Sequence, residues 1–408
     1  MPPPAERTTR PAAVLKARVL FGVMVATAIL GMFAGVTAAP TNASAAQLSI
    51  SVSGNHLVDG SSKTIRLLGV NRSGTEYACI QGWGIFDGPS DFASVAAIAS
   101  WHVNAVRVPL NEDCWLNINM GTSTEGGTVY QQAIMNYVNT LNQSGIYAIL
   151  DLHWTAAGTN RATYQQPMPD ADHAPAFWSS VAATFKNNPG VIFDLFNEPF
   201  WNPWSCWLSG CTVWGGTPGA YQSAGMQSLV TAVRGSGATQ PIMLGGLAYA
   251  NDLSGWLANL PNDPLHQLIA SVHIYNFNTC STITCFSSGA NSLAPIAAAH
   301  PVVIGEVGEN DCAHGFIDNI MPWADSSGYS YLGWAWNTAG CTSFPALITN
   351  YDGTPTGFGI GFRDHLAALT SIGWTPKTTV SISGTSFQIN GTTTSPNGLL
   401  LNSRMVQG

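Results

Sequence analysis

Two glutamates stand at the ends of short apolar segments that lie far apart in this 408-residue chain. Glu198 closes the segment Ile192-Phe-Asp-Leu-Phe-Asn-Glu, and Glu306 closes the segment Val302-Val-Ile-Gly-Glu. Two facing carboxyl groups suit hydrolysis of a glycosidic bond, because one can stay ionised while the other carries a proton for the leaving group. The sequence therefore predicts acid/base chemistry if the fold brings these two side chains together.

Other polar and aromatic residues also stand at the ends of apolar segments. Any one of them could be part of the scaffold, but their recurrence at most of the segment ends favours one shared site. We expect the following residues to contact a substrate: Arg107, His153, Asn197, His273, Tyr275, Trp334 and Trp336.

The elements that must position these residues are short β-branched segments, separated by stretches with helical periodicity. Strands are predicted at Ile65–Val70, Ala105–Pro109, Tyr147–Leu152, Ile192–Phe196, Ile242–Gly245, Ser271–Ile274, Val302–Glu306 and Tyr331–Trp336. Helices are predicted near 90–101, 128–143, 175–187, 219–235, 252–259, 290–299, 314–326 and 359–371. This alternation predicts an α/β fold, a (β/α)8 TIM barrel whose strand ends meet at one rim. The alternative, a doubly wound open sheet, needs a Gly-rich phosphate loop that the sequence lacks.

The two ends of the chain differ from this repeating pattern. Residues 1–46 resemble a signal peptide, because basic residues precede an apolar run and a small-residue cleavage site. The run is long enough to span a bilayer, so an uncleaved anchor is the alternative. A β-hairpin of Leu48–Val52 and Thr64–Leu68 is predicted to cap the barrel floor. Residues 47–375 form the predicted catalytic domain, and 376–408 a C-terminal extension of unassigned role.

Composition restricts the class of partner. Charged residues make up only 9% of the chain and the formal net charge is −8, with no block of Lys and Arg that would bind nucleic acid or anionic lipid. We therefore expect a neutral polysaccharide or oligosaccharide as partner, no stable membrane partner, and a monomer. No Cys-x-x-Cys pair or His-rich spacing points to a metal, and no cofactor is implied.

The chain has eight cysteines, an even number that predicts disulfides in an exported protein. Close spacing suggests pairs Cys206–Cys211 and Cys280–Cys285. These leave Cys79 with Cys114 and Cys312 with Cys341, although eight cysteines allow 105 pairings.

The segments around the two glutamates carry a family resemblance. Ile192-Phe-Asp-Leu-Phe-Asn-Glu-Pro199 resembles the strand-four signature of glycoside hydrolase family 5, and Val302-Val-Ile-Gly-Glu-Val-Gly308 resembles its strand-seven nucleophile motif. The resemblance extends over roughly Thr64 to Leu369. It implies that Glu198 is the acid/base and Glu306 the nucleophile of a retaining enzyme, and that Asn197 hydrogen-bonds the sugar 2-hydroxyl.

The same resemblance assigns roles to the remaining candidates. Arg107 is similar to the family arginine beside the nucleophile, which would keep the carboxylate ionised. His153 resembles the histidine that lines the −1 subsite, and His273 with Tyr275 resembles the pair near the two carboxyl groups. The family uses one tryptophan after strand eight, for which Trp334 is preferred and Trp336 is the alternative. After strand one, where many members present a histidine, this chain offers Asn71, Arg72 or Glu76 instead.

Several other acidic residues could be mistaken for catalysts. Glu309 is an alternative nucleophile, but it has the opposite alternation to Glu306. Asp194 is interpreted as a buried structural carboxylate. Asp170, Asp172 and His173 could bind a cation, but their spacing is a poor calcium loop and favours a solvated turn.

Aromatic residues indicate the substrate, because sugar rings stack on them. Trp154 follows strand three, and Trp201, Trp204, Trp207 and Trp214 crowd the loop after strand four, as a cleft wall or as a hydrophobic mini-core. We expect a secreted retaining β-glycosidase, an endo-β-1,4-glucanase acting by double displacement. The alternatives are a β-mannanase, an exo-β-glucanase whose cleft is blocked by loops 154–175 and 199–218, or a non-catalytic carbohydrate-binding barrel.

Overall fold

The computed structural model describes residues 48–216, 219–342 and 344–371, so the predicted signal peptide and C-terminal extension lie outside the described residues. Eight parallel strands form a closed barrel. In chain order they are Leu68–Asn71, Ala105–Asn111, Tyr147–Trp154, Val191–Asp194, Ile242–Gly245, Leu268–Tyr275, Val302–Gly308 and Ser330–Gly333. The first strand pairs with the eighth as well as with the second, which closes the cylinder and confirms the predicted barrel.

Helices and short connecting turns surround this barrel. The α-helices are Ala78–Gln81, Phe92–Ala99, Glu112–Leu116, Thr128–Gln143, Ala174–Phe185, Trp204–Ser209, Met226–Gly235, Leu247–Ala250, Ile283–Ser287, Ala294–Ala297, Ile317–Ser327 and Gly357–Ser371, with a 3-10 turn at Leu257–Asn259. Two small antiparallel ribbons pair Thr212–Val213 with Tyr221–Gln222 and Ile348–Asn350 with Thr354–Pro355. Within the part of the chain described, none of the helices has the length and apolarity needed to cross a membrane.

The strands are buried on both faces, as their continuous apolar runs predict. One face contributes to an inner cluster that includes Tyr147, Ile192 and Val303, and the other face packs against the surrounding helices. The inner cluster also includes Ile50 and Leu57 from the N-terminal sheet. The barrel interior is therefore a packed core, which leaves only the rim at the carboxyl ends of the strands for a polar site.

The N-terminal cap has three strands instead of the predicted hairpin. Ile50–Ser53 pairs with His56–Asp59, which in turn pairs with Thr64–Ile65. The hairpin pairing was wrong because the chain already reverses at Gly54, whose φ of 60° suits a tight turn. The sheet contacts the barrel floor, where Ile50 donates its backbone N–H to the carbonyl of Pro189 at 2.9 Å.

Four disulfides join the described cysteines. The pairs are Cys79–Cys114, Cys206–Cys211, Cys280–Cys285 and Cys312–Cys341, the pairing that the spacing predicts. Each connects segments at or beyond the ends of barrel strands, so the covalent links stabilise the loops at the rim.

Candidate active site

The predicted polar residues converge at the carboxyl end of the barrel. Arg107 lies in the second strand, and His273 and Tyr275 lie in the sixth. Glu306 lies in the seventh strand, whereas Glu198 follows the fourth by a few residues. Their side chains contact one another directly through hydrogen bonds.

Glu306 is held by a cation and a hydroxyl group. The Arg107 guanidinium donates to Oε1 at 2.8 Å, and the Tyr275 hydroxyl donates to Oε2 at 2.5 Å. Burial raises the pKa of Glu306, while the positive charge of Arg107 acts against this increase. Because both donors stabilise the negative charge, this carboxyl group is suited to remain ionised as a nucleophile.

Arg107 is fully buried and oriented by a ring of acceptors. Its Nε donates to Asp194 at 2.8 Å, and a second nitrogen, Nη2, donates to the amide oxygen of Asn197 at 2.9 Å. Asp151 lies 3.0 Å from the same Nη2. Burial alone would lower the pKa of Arg107, but Asp151, Asp194 and Glu306 together raise it above its usual range. The guanidinium is therefore a permanent positive charge beside Glu306.

Glu198 has neutral hydrogen-bonding partners. Its Oε1 lies 2.8 Å from Nδ1 of His273, and Gln165 donates to its Oε2 at 3.1 Å. Burial raises the pKa of Glu198, and the hydrogen bond from Gln165 partly opposes this. Burial also lowers the pKa of His273 to about 3, so the imidazole is neutral. Glu198 is therefore the carboxyl group better suited to hold a proton.

The separation of the two carboxyl groups indicates which reaction course fits. One carboxyl oxygen of Glu198, one of Glu306 and a ring nitrogen of His273 all lie within 4.8 Å of one another. Retaining glycosidases place their carboxyl groups about 5–5.5 Å apart, whereas inverting enzymes need roughly 6.5–9.5 Å to admit a water. The nearest carboxyl oxygens are therefore closer than the inverting arrangement requires, which favours the retaining course.

His153 and Trp334 form a second wall of the site. Their rings stack at 5.3 Å with an interplanar angle of 9°, and Nδ1 of His153 lies 2.6 Å from Asp151. Burial lowers the pKa of His153. A neutral imidazole beside an indole offers a sugar both hydrogen-bonding capacity and an apolar surface.

Exposed aromatic side chains extend outward from these residues. We call Trp83, Trp201, Tyr249 and Phe277 the rim aromatics; they are 68%, 72%, 39% and 58% exposed. Trp201 and Tyr249 both contact Phe200, two residues after Glu198, and Phe277 stacks on Tyr275 at 4.9 Å. Trp83 packs edge-on against Tyr77, whose ring also contacts Trp154. Apolar faces are therefore available on more than one side of the two carboxyl groups.

Tyr249 is presented by an unusual backbone. Ala248, Tyr249 and Ala250 have φ values of 52°, 62° and 56°, three successive left-handed residues with side chains. Each such residue costs roughly 1–2 kcal/mol, and strain of this kind concentrates at functional sites. The turn is tied to the loop after strand four, because the backbone N–H of Tyr249 donates to the carbonyl of Pro199 at 3.0 Å.

Trp336 was wrongly included among the substrate-binding residues. It is fully buried and packs edge-to-face on Trp101, with ring centroids 4.8 Å apart. The eighth strand ends at Gly333, so the alternation that would give Trp334 and Trp336 the same orientation does not continue. Trp334 is the tryptophan that contacts His153.

Only some of the tryptophans predicted to line a cleft after strand four are exposed. Trp207 is fully buried and donates to the carbonyl of Gly245 at 2.9 Å, so it belongs to the core. Trp204 packs on it with ring centroids 5.2 Å apart. Trp201 and Trp214 are exposed, at 72% and 75%. The mini-core interpretation therefore holds for Trp204 and Trp207, whereas a role of Trp201 and Trp214 in a cleft wall stays a prediction.

The other acidic residues have local partners. Glu309 accepts hydrogen bonds from the backbone N–H groups of Phe316 and Ile317, so it caps a helix start instead of facing Glu198. Asp194 is the expected structural carboxylate. Asp170, however, is fully buried, which makes the prediction of a solvated turn at Asp170–His173 wrong for this residue.

Two further residues of the site are absent from the sequence prediction. Gln165 bridges the two residues of the strand-four motif: it donates to Glu198 and accepts from Asn197 at 3.0 Å. It lies in a loop without periodicity, so no sequence signal identified it. Asp151 could have been found, because it shares the alternation of His153 along the third strand.

Known proteins resemble this chain over most of its length. Mannan endo-1,4-beta-mannosidase of Streptomyces lividans is 25% identical over 80% of this chain and 76% of its own. Endo-beta-1,4-glucanase A of Emericella nidulans is 24% identical over 70% of this chain and 86% of its own. Among solved structures, beta-glucanase SdGluc5_26A from Saccharophagus degradans in complex with cellotetraose superimposes with a TM-score of 0.60, at 21% identity over 79% of this chain and 94% of that one.

A family model covers most of the barrel. The model for Cellulase (glycosyl hydrolase family 5) matches residues 58–340, well over half of the chain, and includes both the Glu198 and Glu306 motifs. The match agrees with the closed barrel of parallel strands described above. The chain is thus a glycoside hydrolase and belongs to glycosyl hydrolase family 5.

Proposed function

We propose that this protein is a secreted, retaining endo-β-1,4-glucanase with Glu306 as nucleophile and Glu198 as acid/base. The observation that carries the proposal is the pair of carboxyl oxygens within 4.8 Å, one beside Arg107 and the other beside neutral groups. This asymmetry matches the different protonation states that double displacement requires.

In the first step, ionised Glu306 attacks the anomeric carbon of the sugar in the −1 position. Glu198 gives its proton to the glycosidic oxygen, and the bond to the leaving sugar breaks. In the second step, Glu198, now ionised, takes a proton from water. The water oxygen attacks the anomeric carbon and releases Glu306 with overall retention of configuration.

The surrounding residues favour this proton cycle. Arg107 and Tyr275 stabilise Glu306 as an anion before attack and after release. Gln165 donates to Glu198, which supports the ionised form that the second step needs. Asn197 is fixed between Arg107 and Gln165, where its amide is oriented beside the sugar-binding end of the site.

Chain-internal cleavage and a glucan substrate are supported by the rim aromatics and by the relatives. The rim aromatics provide separate stacking surfaces, so several sugar units could bind at once. One similar structure holds cellotetraose and one similar sequence is an endo-beta-1,4-glucanase. Secretion is supported by four disulfides, which persist in oxidising compartments.

A β-mannanase is the second candidate, because a Streptomyces lividans mannan endo-1,4-beta-mannosidase resembles the chain over 80% of its length. The same two carboxyl groups would perform that reaction. The difference would lie in subsite contacts to the 2-hydroxyl, which is axial in mannose and equatorial in glucose.

The experiment is a reducing-end assay on carboxymethyl cellulose, mannan, xyloglucan, lichenan and laminarin, for the wild type and for Glu198→Gln and Glu306→Gln. We expect the highest rate on a β-1,4-glucan and a loss of at least about a thousandfold in Glu306→Gln. A preference for mannan would select the second candidate. If the wild type binds these polymers without hydrolysing them, the protein is a carbohydrate-binding barrel and the proposed enzyme activity is wrong.

A further inference from the structure

A second group of ionisable side chains lies apart from the two catalytic candidates. Glu112 begins the short helix after the second strand, and Asp170 and His173 lie at the end of the loop after the third strand. We call these three residues the acidic cluster. One ligand atom from each lies within 4.8 Å of the other two.

The acidic cluster contains an unsatisfied buried oxygen. Glu112 is fully buried, and its Oε1 has no hydrogen-bond partner among the described residues. Its other oxygen accepts from the backbone N–H of Ala156 at 3.3 Å. A buried carboxylate oxygen without a donor costs several kcal/mol unless a proton or a cation compensates it.

Negative charge accumulates around that oxygen. Asp170 is also fully buried, and the carboxyl groups of Asp113 and Asp172 lie close enough to interact with it. Within the described ranges, no Lys or Arg forms an ion pair with any of these four acids, and the imidazole of His173 lies 3.6–3.8 Å from Glu112, Asp170 and Asp172. Asp170 also accepts hydrogen bonds from the Thr155 hydroxyl at 2.9 Å and from the backbone N–H of His173 at 2.7 Å. Burial raises the pKa of Glu112, so either a proton or a bound cation must compensate these buried acids.

We propose that the acidic cluster binds one divalent cation of the Mn²⁺ or Zn²⁺ type. Donors around one such ion lie within about twice a 2.0–2.4 Å ligand bond of each other, which fits the observed spread. Two carboxylates with an imidazole favour a borderline metal, because Ca²⁺ and Mg²⁺ prefer oxygen ligands alone. The carbonyl of Ala156, 3.2 Å from Nδ1 of His173, offers a further oxygen.

The position of the site indicates what the cation would do. It joins the helix after strand two to the far end of the loop that begins after Trp154. That loop carries Gln165, which donates to Glu198. The cation therefore holds the loop closed and keeps Gln165 in place, as a structural ion and without contact to the substrate.

The first test uses the full-length protein purified without chelator. Elemental analysis gives about one equivalent of Mn or Zn per chain. After dialysis against EDTA, adding Mn²⁺ or Zn²⁺ at about one hundred times its Kd raises Tm by about 4 °C. Ca²⁺ at the same concentration raises Tm less, because it binds more weakly. A larger shift with Ca²⁺ contradicts the assigned donor set, and the absence of a shift with all three ions contradicts the site.

Variants distinguish a bound cation from a shared proton. Glu112→Gln and His173→Ala both lose the metal-induced shift in Tm. If Glu112→Gln folds poorly because Glu112 is buried, His173→Ala alone gives the test. His314→Ala is the matched control, because His314 pairs with Asp318 at 2.7 Å on the surface and its removal leaves the shift intact. If Glu112 and Asp170 merely share a proton, Glu112→Gln melts no lower than the wild type and neither protein responds to metal, which overturns the proposal.

Discussion

The two catalytic candidates differ in the charge of their hydrogen-bond donors. Glu306 is bound by the Arg107 guanidinium and the Tyr275 hydroxyl, whereas Glu198 is bound by the amide of Gln165 and by neutral His273. Charge-assisted bonds favour the ionised form more strongly than neutral ones. Activity should therefore fall at low pH as Glu306 takes up a proton, and at high pH as Glu198 loses one.

Replacing Tyr275 with Phe tests the first half of this assignment. The substitution removes a donor to ionised Glu306, so the pKa of Glu306 rises and the acidic limb of the pH profile moves to higher pH. One hydrogen bond to a charged group corresponds to a loss of roughly 10- to 100-fold in kcat. Steady-state kinetics across pH measure both effects. Tyr329→Phe, at the floor side of the eighth strand, is the control, and an unmoved acidic limb in Tyr275→Phe would rule out the contact.

Replacing Gln165 with Ala tests the second half. Gln165 donates to Glu198, and this bond lowers the pKa of that carboxyl group. Its loss raises the pKa of Glu198, so the proton persists to higher pH and the basic limb shifts upward while the acidic limb stays. Gln131→Ala is the control. It removes a side-chain amide that donates a hydrogen bond to the carbonyl of Trp115 outside the site, so both limbs should stay unchanged. A shift of the acidic limb alone would contradict the assignment.

At the scale of elements, the barrel positions were predictable because each strand is a short apolar run and most of these runs have a polar residue at the end. The strand starts and ends differ by a few residues, as in the eighth strand, which ends at Gly333 and so gives Trp336 to the core. Side chains alternate between the two faces of a strand only where the strand is paired with its neighbours. The sequence therefore predicted Glu198, Glu306 and Arg107 together but assigned Trp336 wrongly.

The loops were less predictable, because their contacts depend on tertiary structure. Gln165 reaches Glu198 across 33 residues. Glu112 meets Asp170 although the helix Thr128–Gln143 and the strand Tyr147–Trp154 separate them in the chain. The spacing of Asp170, Asp172 and His173 alone matched no cation loop, since Glu112, the third member of the proposed cation site, comes from another element. Local patterns cannot reveal such pairs.

The disulfides at the rim give a prediction about stability. Cys79–Cys114 spans 35 residues and Cys206–Cys211 spans 5. Loop-closure entropy predicts a loss of about 4 kcal/mol on removing the first bond and about 2 kcal/mol on removing the second. Chemical denaturation of the double Cys→Ala variants measures both. Equal losses would show that entropy of the unfolded chain does not determine their contribution.

At the scale of the whole molecule, few charges and several exposed aromatics define the surface that a polymer would meet. Charged residues make up 9% of the chain, while three of the rim aromatics, Trp83, Trp201 and Phe277, are more than half exposed. A neutral polysaccharide binds such a surface through stacking and hydrogen bonds and not through net charge. Binding should therefore depend little on salt.

Trp201→Ala tests whether the rim aromatics bind the polymer. Loss of one stacking surface should raise KM for carboxymethyl cellulose roughly tenfold and leave KM for a chromogenic cellobioside nearly unchanged. The matched control is Phe92→Ala, because Phe92 is 65% exposed but lies on a helix beside the barrel. Equal effects of Trp201→Ala on both substrates would place Trp201 outside the extended cleft.

Trapping the covalent intermediate tests most directly whether Glu306 is the nucleophile of a retaining reaction. A 2-deoxy-2-fluoro-β-cellobioside with an activated leaving group should inactivate the enzyme and add one fluorinated disaccharide to it. Peptide mass spectrometry is expected to find this label on Glu306, and Glu306→Gln should remain unlabelled. A label on Glu309 or any other residue, or turnover with inversion of the anomeric centre, would contradict the account.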